Sequence, residues 1–195
     1  MSFLIKNLDI SGAFLISNPV FSDSRGFFRE WFKTQEMCKF SGFRFELQQA
    51  NLSKSKLNSI RGIHFTNTTD GQAKIITCAN GRMVDLIIDL RIGSPTYLKH
   101  IFVNLSDSDG CSIFLSEGLG HGFLSLEDAT IVTYLVNKSY MPEKEYSLNP
   151  FDEEIGIAWN EYGPVESFIL SEKDKFAPKL VDLRNAKKLP IYVKS

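Results

Sequence analysis

The chain has 195 residues with 22 Lys and Arg against 23 Asp and Glu, a net charge of −1 at neutral pH. That balance argues against a general nucleic-acid binder, which carries a basic excess or stripe. The length fits one domain spanning 1–195, and the 43% hydrophobic content with 16 Phe supports an aromatic core that needs no staples. Cys38, Cys78 and Cys111 lie far apart with no CxxC, a pattern that suits free thiols in a reducing cytoplasm. The apolar start, residues 3–5, is broken at once by Lys6, Asn7 and Asp9, so no signal peptide is expected. No apolar run approaches the roughly 18 residues of a membrane span.

In chain order, Asp23-Ser24-Arg25-Gly26 reads as a turn leading into a strand that carries Phe28, Arg29 and Glu30. Thr34 is placed to cap a short helix over 34–40, closed by Gly42. Strands follow over 43–49, 59–65, 74–78, 82–90, 100–105, 112–115 and 130–136, separated by Gly, Asn, Asp and Pro. Asn80-Gly81 supplies the positive-φ residues of a tight hairpin between the third and fourth of these. In the fourth, Val84, Leu86, Ile88 and Leu90 alternate with Asp85, Ile87 and Asp89, so both acids share one face. Such acids belong to a solvated surface or, if that face lines a barrel interior, to a polar site. Residues 118–123 (GLGHGF) read as a tight turn around a histidine, without the Lys-Ser/Thr of a phosphate-binding loop. Short helical turns are expected at 142–145 and after Ser171, and the tail 185–195 shows no usable pattern. The sum is an all-β sandwich or barrel with short peripheral helices.

The histidines are His64, His100 and His121, with no HxH pair, so the spacing does not favour a metal site. An isolated His64 on a strand would ordinarily be a core residue satisfied by a carbonyl. Arg61 close by and the alternating Gln49, Asn51, Ser53 and Ser55 upstream weaken that reading, although a solvated edge strand explains the alternation equally well. Strict alternation places Arg61 and His64 on opposite faces, so a shared pocket requires a bulge between them. The Arg25 fork suits a diphosphate, against a plain surface charge in a turn.

The ordered segments DSRGFFREWF, QQANLSKS, IRGIHF, QAKIITCANGRMVDLIIDLRIGSPTY, EGLGHGF, VTYLVNKSYMPEKEY, IGIAW and LSEKDK together resemble the dTDP-4-dehydrorhamnose 3,5-epimerases, from Pro19 to Lys175. The resemblance implies a double-stranded β-helix (a metal-free cupin jelly roll), a homodimer, no cofactor, and a dTDP-linked 4-keto-6-deoxyhexose as substrate. It makes His64 the base, Asp174 its orienting partner, Tyr134 the acid on the opposite face and Lys74 the group facing the ketone, with Asp85 nearby. Arg25, Glu30, Gln49, Asn51 and Arg61 match positions that hold the nucleotide and its diphosphate. Phe28, His121 and Tyr140 match further pocket positions. Thr66 stands where the family often has Gln, Ser116 where it has Pro, and 149–153 departs from its Trp-Asn-Asp-Pro stretch. These changes leave open the base (dTDP, CDP or GDP), the sugar, and whether C3, C5 or both are inverted. Two other classes stand beside this reading: a non-catalytic nucleotide-sugar-binding cupin, and a metal-dependent cupin oxygenase or isomerase.

Overall fold

The computed structural model describes residues 3–41, 45–67 and 71–193, with backbone only over 38–41. Its strands are β1 (Leu4–Asn7), β2 (Ala13–Ser17), β3 (Val20–Asp23), β4 (Gly26–Arg29), β5 (Gln49–Ser55), β6 (Ile60–Thr66), β7 (Lys74–Asn80), β8 (Arg82–Asp89), β9 (His100–Ser106), β10 (Cys111–Leu115), β11 (Leu119–Ser125), β12 (Thr130–Val136) and β13 (Glu145–Ser147). Helices are α1 (Thr34–Ser41), α2 (Glu172–Lys175) and α3 (Leu180–Asn185). Among the described residues no helix is long and apolar enough to cross a membrane.

Two antiparallel sheets, in the orders β1-β2-β10-β7-β12-β5 and β13-β6-β11-β8-β9, face one another as a double-stranded β-helix, and β3 and β4 form a separate two-stranded arm. Ile76, Cys78, Ile113 and Val132 of the first sheet meet Met83, Ile87, Leu105 and Phe123 of the second in the shared core. The outer face of the second sheet is also covered: Val84, Leu86, Ile88 and Leu90 pack with Trp159, Phe168, Leu180 and Leu183 of the C-terminal third. The outer face of the first is covered by Phe3, Met37 and Phe45. In a strand such as β8, buried on both faces, a polar side chain finds its partners within the fold rather than in water.

The expected hairpin at Asn80-Gly81 is corrected here. β7 and β8 lie in different sheets, and Gly81 (φ +79°) carries the chain from one layer to the other. The turn is held instead by Asp107, whose Oδ2 accepts from the Gly81 N–H at 3.0 Å and whose N–H donates to the Gly81 carbonyl. A turn residue specifies a reversal of direction, but long-range pairing decides which strands become neighbours. Leu119–Ser125 is likewise a strand, not a tight turn. Residues 142–144 turn and then enter β13, not a helix. The strand expected over 43–49 begins only at Gln49; residues 42–44, including the proposed helix stop Gly42, lie outside the described residues. Thr34 opens α1 as its first helical residue.

The bulge that a shared Arg61 and His64 pocket requires is present. Phe123 opposes Arg61 and His121 opposes His64, so the one residue between them on β11, Gly122, faces two on β6, Gly62 and Ile63. Gly62 is the extra residue: Ile60, Ile63 and Phe65 pack outward, leaving Arg61 and His64 both turned inward. Gly62 has φ +108°, and a Cβ there would meet the His121 carbonyl oxygen at 2.6 Å and Gly122 Cα at 2.7 Å. Gly62→Ala is therefore expected to cost about 2 kcal/mol or more, from overpacking against backbone and a left-handed conformation. A denaturation midpoint equal to that of the parent would contradict the assignment.

Candidate active site

A cavity of about 570 Å³ opens between the two sheets, reached by His64 and His121 from one layer and by Lys74 and Tyr134 from the other. Asn51, Arg61, Tyr140 and Asp174 also line it. His64 Nε2 lies 2.7 Å from Asp174 Oδ1, which commits one ring nitrogen to a carboxylate and leaves the other for a substrate proton. Asp174 is placed by the capping of α2, where Ser171 Oγ accepts from the Asp174 N–H at 3.1 Å. Burial pushes the Asp174 carboxyl up, but the His64 ring, the Ser171 hydroxyl and the Gly62 N–H outweigh it and hold the group below the usual carboxylate range.

A second dyad lies beside the first. His121 is the cross-strand partner of His64, and its Nε2 is 2.7 Å from Asp85 Oδ2. Asp85 is fully buried on the inner face of β8, behind the cavity wall, and its other oxygen has no hydrogen-bond partner among the described residues. Burial raises its pKa, and the His121 and Lys74 charges oppose that rise. Lys74 shares the inward side of β7 with Ile76 and Cys78 and lines the cavity, close enough to Asp85 for the two charges to influence each other. Burial pushes the lysine down, while Glu145 and Asp85 draw it back up. Tyr134 is held by Ser53 Oγ at 3.2 Å, with its ring edge-on to His121 at 6.0 Å; burial pushes its phenol far up.

The alternating polar residues of β5 turn toward this cavity. Asn51 and Ser53 line it, Ser55 Oγ accepts from Arg61 Nε at 3.0 Å, and Gln49 bridges Asn51 Oδ1 and the Tyr140 N–H at the rim. Arg25, Phe28 and Glu30 are not brought to the cavity. They stand on or beside the β3–β4 arm, Phe28 65% exposed, Arg25 paired with Asp23 and Glu30 with Lys33. The sequence reading did not single out Gln72, Glu145, Ser171 and Lys173, which also line the cavity. Ser171 and Lys173 flank Asp174 in the SEKD run, which was the available signal; Glu145 lay in a stretch taken for a helical turn. Lys173 Nζ and Glu145 Oε1 pair at 3.3 Å across the mouth. Among the described residues no group of three His, Cys, Asp or Glu is placed to hold a metal ion.

This arrangement can move protons on two sides of one bound molecule. A histidine with a carboxylate partner stands on one sheet and a phenol on the other, and a half-buried lysine amine reaches the cavity between them.

Comparison with known proteins agrees with the geometry. The profile of the dTDP-4-dehydrorhamnose 3,5-epimerase family matches residues 7–182. The dTDP-4-dehydrorhamnose 3,5-epimerase of Mycolicibacterium smegmatis is 41% identical over 187 residues, 96% of this chain and 90% of that protein. Among solved structures, NovW, a 4-keto-6-deoxy sugar epimerase from the novobiocin gene cluster of Streptomyces spheroides, superposes with TM-score 0.92 at 36% identity over 98% of this chain and 94% of that one. A doubly substituted ChmJ, a 3'-monoepimerase from Streptomyces bikiniensis in complex with dTDP, gives 0.90 at 35% identity over 95% and 92%. On its profile match, its identity to these proteins and its fold, the chain belongs to the dTDP-4-dehydrorhamnose 3,5-epimerase family.

Proposed function

We propose that this protein epimerises a nucleotide-linked 4-keto-6-deoxyhexose, dTDP-4-dehydro-6-deoxy-D-glucose, at C3 and C5 or at one of them, in deoxysugar biosynthesis. The observation that carries this reading is the His64–Asp174 dyad on one sheet facing Tyr134 on the other across a cavity that also holds Lys74. His64 takes the proton from the carbon next to the ketone, and Asp174 fixes the ring and stabilises the imidazolium. The Lys74 ammonium faces the C4 oxygen, where negative charge develops as the enolate forms. Tyr134 returns a proton from the other side and so inverts the centre. The ketone is itself the electron sink, so the step needs no cofactor. Arg61, Ser171 and Lys173 form the polar mouth that takes the diphosphate.

The pocket is completed, in this reading, by a second copy. Phe21, Phe27 and Phe28 are exposed on the arm, and Arg25 points away from the chain's own cavity with its side chain 88% exposed. A homodimer would set Arg25, Phe28 and Glu30 of one copy at the nucleotide end of the other. The free thiols Cys78 and Cys111 suit the reducing cytoplasm, where nucleotide sugars are made.

Incubation with dTDP-4-dehydro-6-deoxy-D-glucose in D₂O tests the function, with label read by NMR. Deuterium at C3 and C5 identifies a double epimerase, and at one carbon a single-centre epimerase. No label from dTDP-, CDP- or GDP-linked keto-sugars, with nucleotide still bound, would overturn the enzyme reading in favour of a binding cupin. Sedimentation giving a monomer in the presence of dTDP would overturn the dimer.

A further inference from the structure

Arg25, Phe28 and Glu30 stand off the chain's own cavity, and the proposed dimer sets them at the nucleotide end of the other copy's. A two-stranded arm that leaves the body can approach a neighbour's pocket at many angles unless its base is fixed. Each angle left open has to be closed again when ligand binds. The structure holds such a fixture at the foot of the arm, in residues that do not line the cavity.

Alternation along β4 puts Arg29 on the face opposite Phe28, and the Arg29 side chain turns back onto its own chain. Its Nη2 donates to Thr77 Oγ1 at 2.5 Å and to the Cys78 carbonyl at 3.3 Å. Thr77 alternates with the inward Ile76 and Cys78, so it stands on the outer face of β7. It is buried there and donates in turn to the Cys111 carbonyl of β10 at 2.9 Å. Asn18, just before β3, donates through Nδ2 to the Glu30 carbonyl, just after β4, at 2.6 Å. Its own N–H donates to the Gly110 carbonyl of the body. Asn18 thus ties the two feet of the hairpin together, and Arg29 bolts them to β7. Because the bolt lies on the Arg29 face, the other face, with Phe28 and its cross-strand partner Phe21, is turned away from the body and exposed.

We infer that Arg29 aims the arm: bonded to Thr77 and Cys78 of its own chain, it presents Arg25, Phe28 and Glu30 in a fixed orientation to the nucleotide end of the other copy's pocket. It touches neither the nucleotide nor the reacting carbon and is a positioning residue that acts across the dimer. An arm without this bolt must be ordered at each binding event, so its loss falls on nucleotide affinity and KM. Turnover of bound substrate is spared, because His64, Tyr134 and Lys74 are all carried by the two sheets of the body.

This inference rests on the epimerase and dimer readings, and the test separates the three. Arg29→Met keeps the length of the side chain and removes its donors. It should raise KM and weaken calorimetric dTDP binding by about tenfold, as loss of charge-assisted hydrogen bonds does, with kcat within about twofold of the parent. Thr77→Val removes the acceptor from the body side and should give a similar rise, and the double variant should be no worse than the worse single one. Arg29→Lys, which keeps the charge and a donor, should recover part of the loss. A hybrid dimer of one Arg29→Met copy and one His64→Asn copy, isolated through two affinity tags, then shows whose pocket the arm serves. Its one intact base lies in the Arg29→Met copy and meets the sound arm of the His64→Asn copy. It should therefore turn over with parental KM at about half the parental kcat. A hybrid with the raised KM would mean that the arm serves its own chain and would overturn the inference, as would parental KM in Arg29→Met. Dissociation of both single variants into monomers on sedimentation would make Arg29 an assembly contact and would also overturn it. A monomeric parent overturns the dimer instead. A parent that binds dTDP without turnover overturns the epimerase reading, and the calorimetric affinities of the single variants then still decide the role of Arg29.

Discussion

Replacing His64 by Asn should lower deuterium incorporation into the keto-sugar by about a thousandfold, within the 100- to 10,000-fold range of a positioned general base. dTDP affinity should change little, because the proposed role of His64 is at the sugar, while Arg61 and Lys173 also line the cavity and remain to hold the nucleotide. Asp174→Asn should give a smaller loss: the ring stays, but its orienting charge and preferred tautomer do not. The two variants should not be additive, since they remove parts of one hydrogen-bonded unit. Parental exchange in His64→Asn would sink the assignment of the base. Loss of exchange together with loss of dTDP binding would point to a folding defect, which the Gly62 bulge beside it makes a necessary control.

Arg91→Ala should destabilise the fold by about 3–5 kcal/mol, the cost of leaving a buried charge without its partner. Asp89 is fully buried, with Oδ1 and Oδ2 each accepting from the Arg91 guanidinium at 2.8 Å. Arg91 also donates to the Ser11 carbonyl and to Ser116 Oγ, and its guanidinium lies over the Tyr192 ring. The pair therefore joins β8, the N-terminal segment and the C-terminal tail. Replacing both residues, Asp89→Leu with Arg91→Met, should cost less than Arg91→Ala alone, because no orphan charge remains. Denaturant midpoints decide this; an Arg91→Ala variant as stable as the parent would refute it. A pH dependence accompanies the pair. Burial pushes Asp89 up, but Arg91, Ser94 and Thr96 outweigh it and hold the carboxyl below its ordinary value. A depressed carboxyl contributes stability that is fully present above the unfolded-state value of about 3.9 and is lost as pH falls through the lower folded value. Acid unfolding of Arg91→Ala should accordingly begin at higher pH than that of the parent.

Asp85 and Asp89 show where reading the sequence reaches its limit. Alternation in β8 put both on one face, and that is correct. Nothing local said whether the face met water or the barrel interior, because a strand buried on both sides and a strand buried on one can carry the same period of two. The structure puts both inside and gives them different partners, His121 for one and Arg91 for the other. Arg91 is two residues from Asp89, but His121 is 36 residues from Asp85 and does not follow from spacing. The polar face of β5 had the same ambiguity, and the cavity resolves it: Asn51 and Ser53 line it while Ser55 holds Arg61.

The sequence by itself determined the all-β class, most strand positions, the helical turn after Ser171 and, through its ordered motifs, the family with His64, Asp174, Tyr134 and Lys74 in it. These are local or combinatorial properties, written in alternation, capping residues and short motifs. Tertiary structure alone decided that the chain crosses between sheets at Gly81, that Gly62 bulges so Arg61 and His64 share a face, and that a second dyad and Ser53 stand beside the first. It also set the arm residues Arg25, Phe28 and Glu30 apart from the cavity they were expected to line. The physical reason is that strand neighbours and bulges are chosen by long-range pairing and by backbone approach. Those contacts join residues far apart in the chain and leave no periodic mark in it.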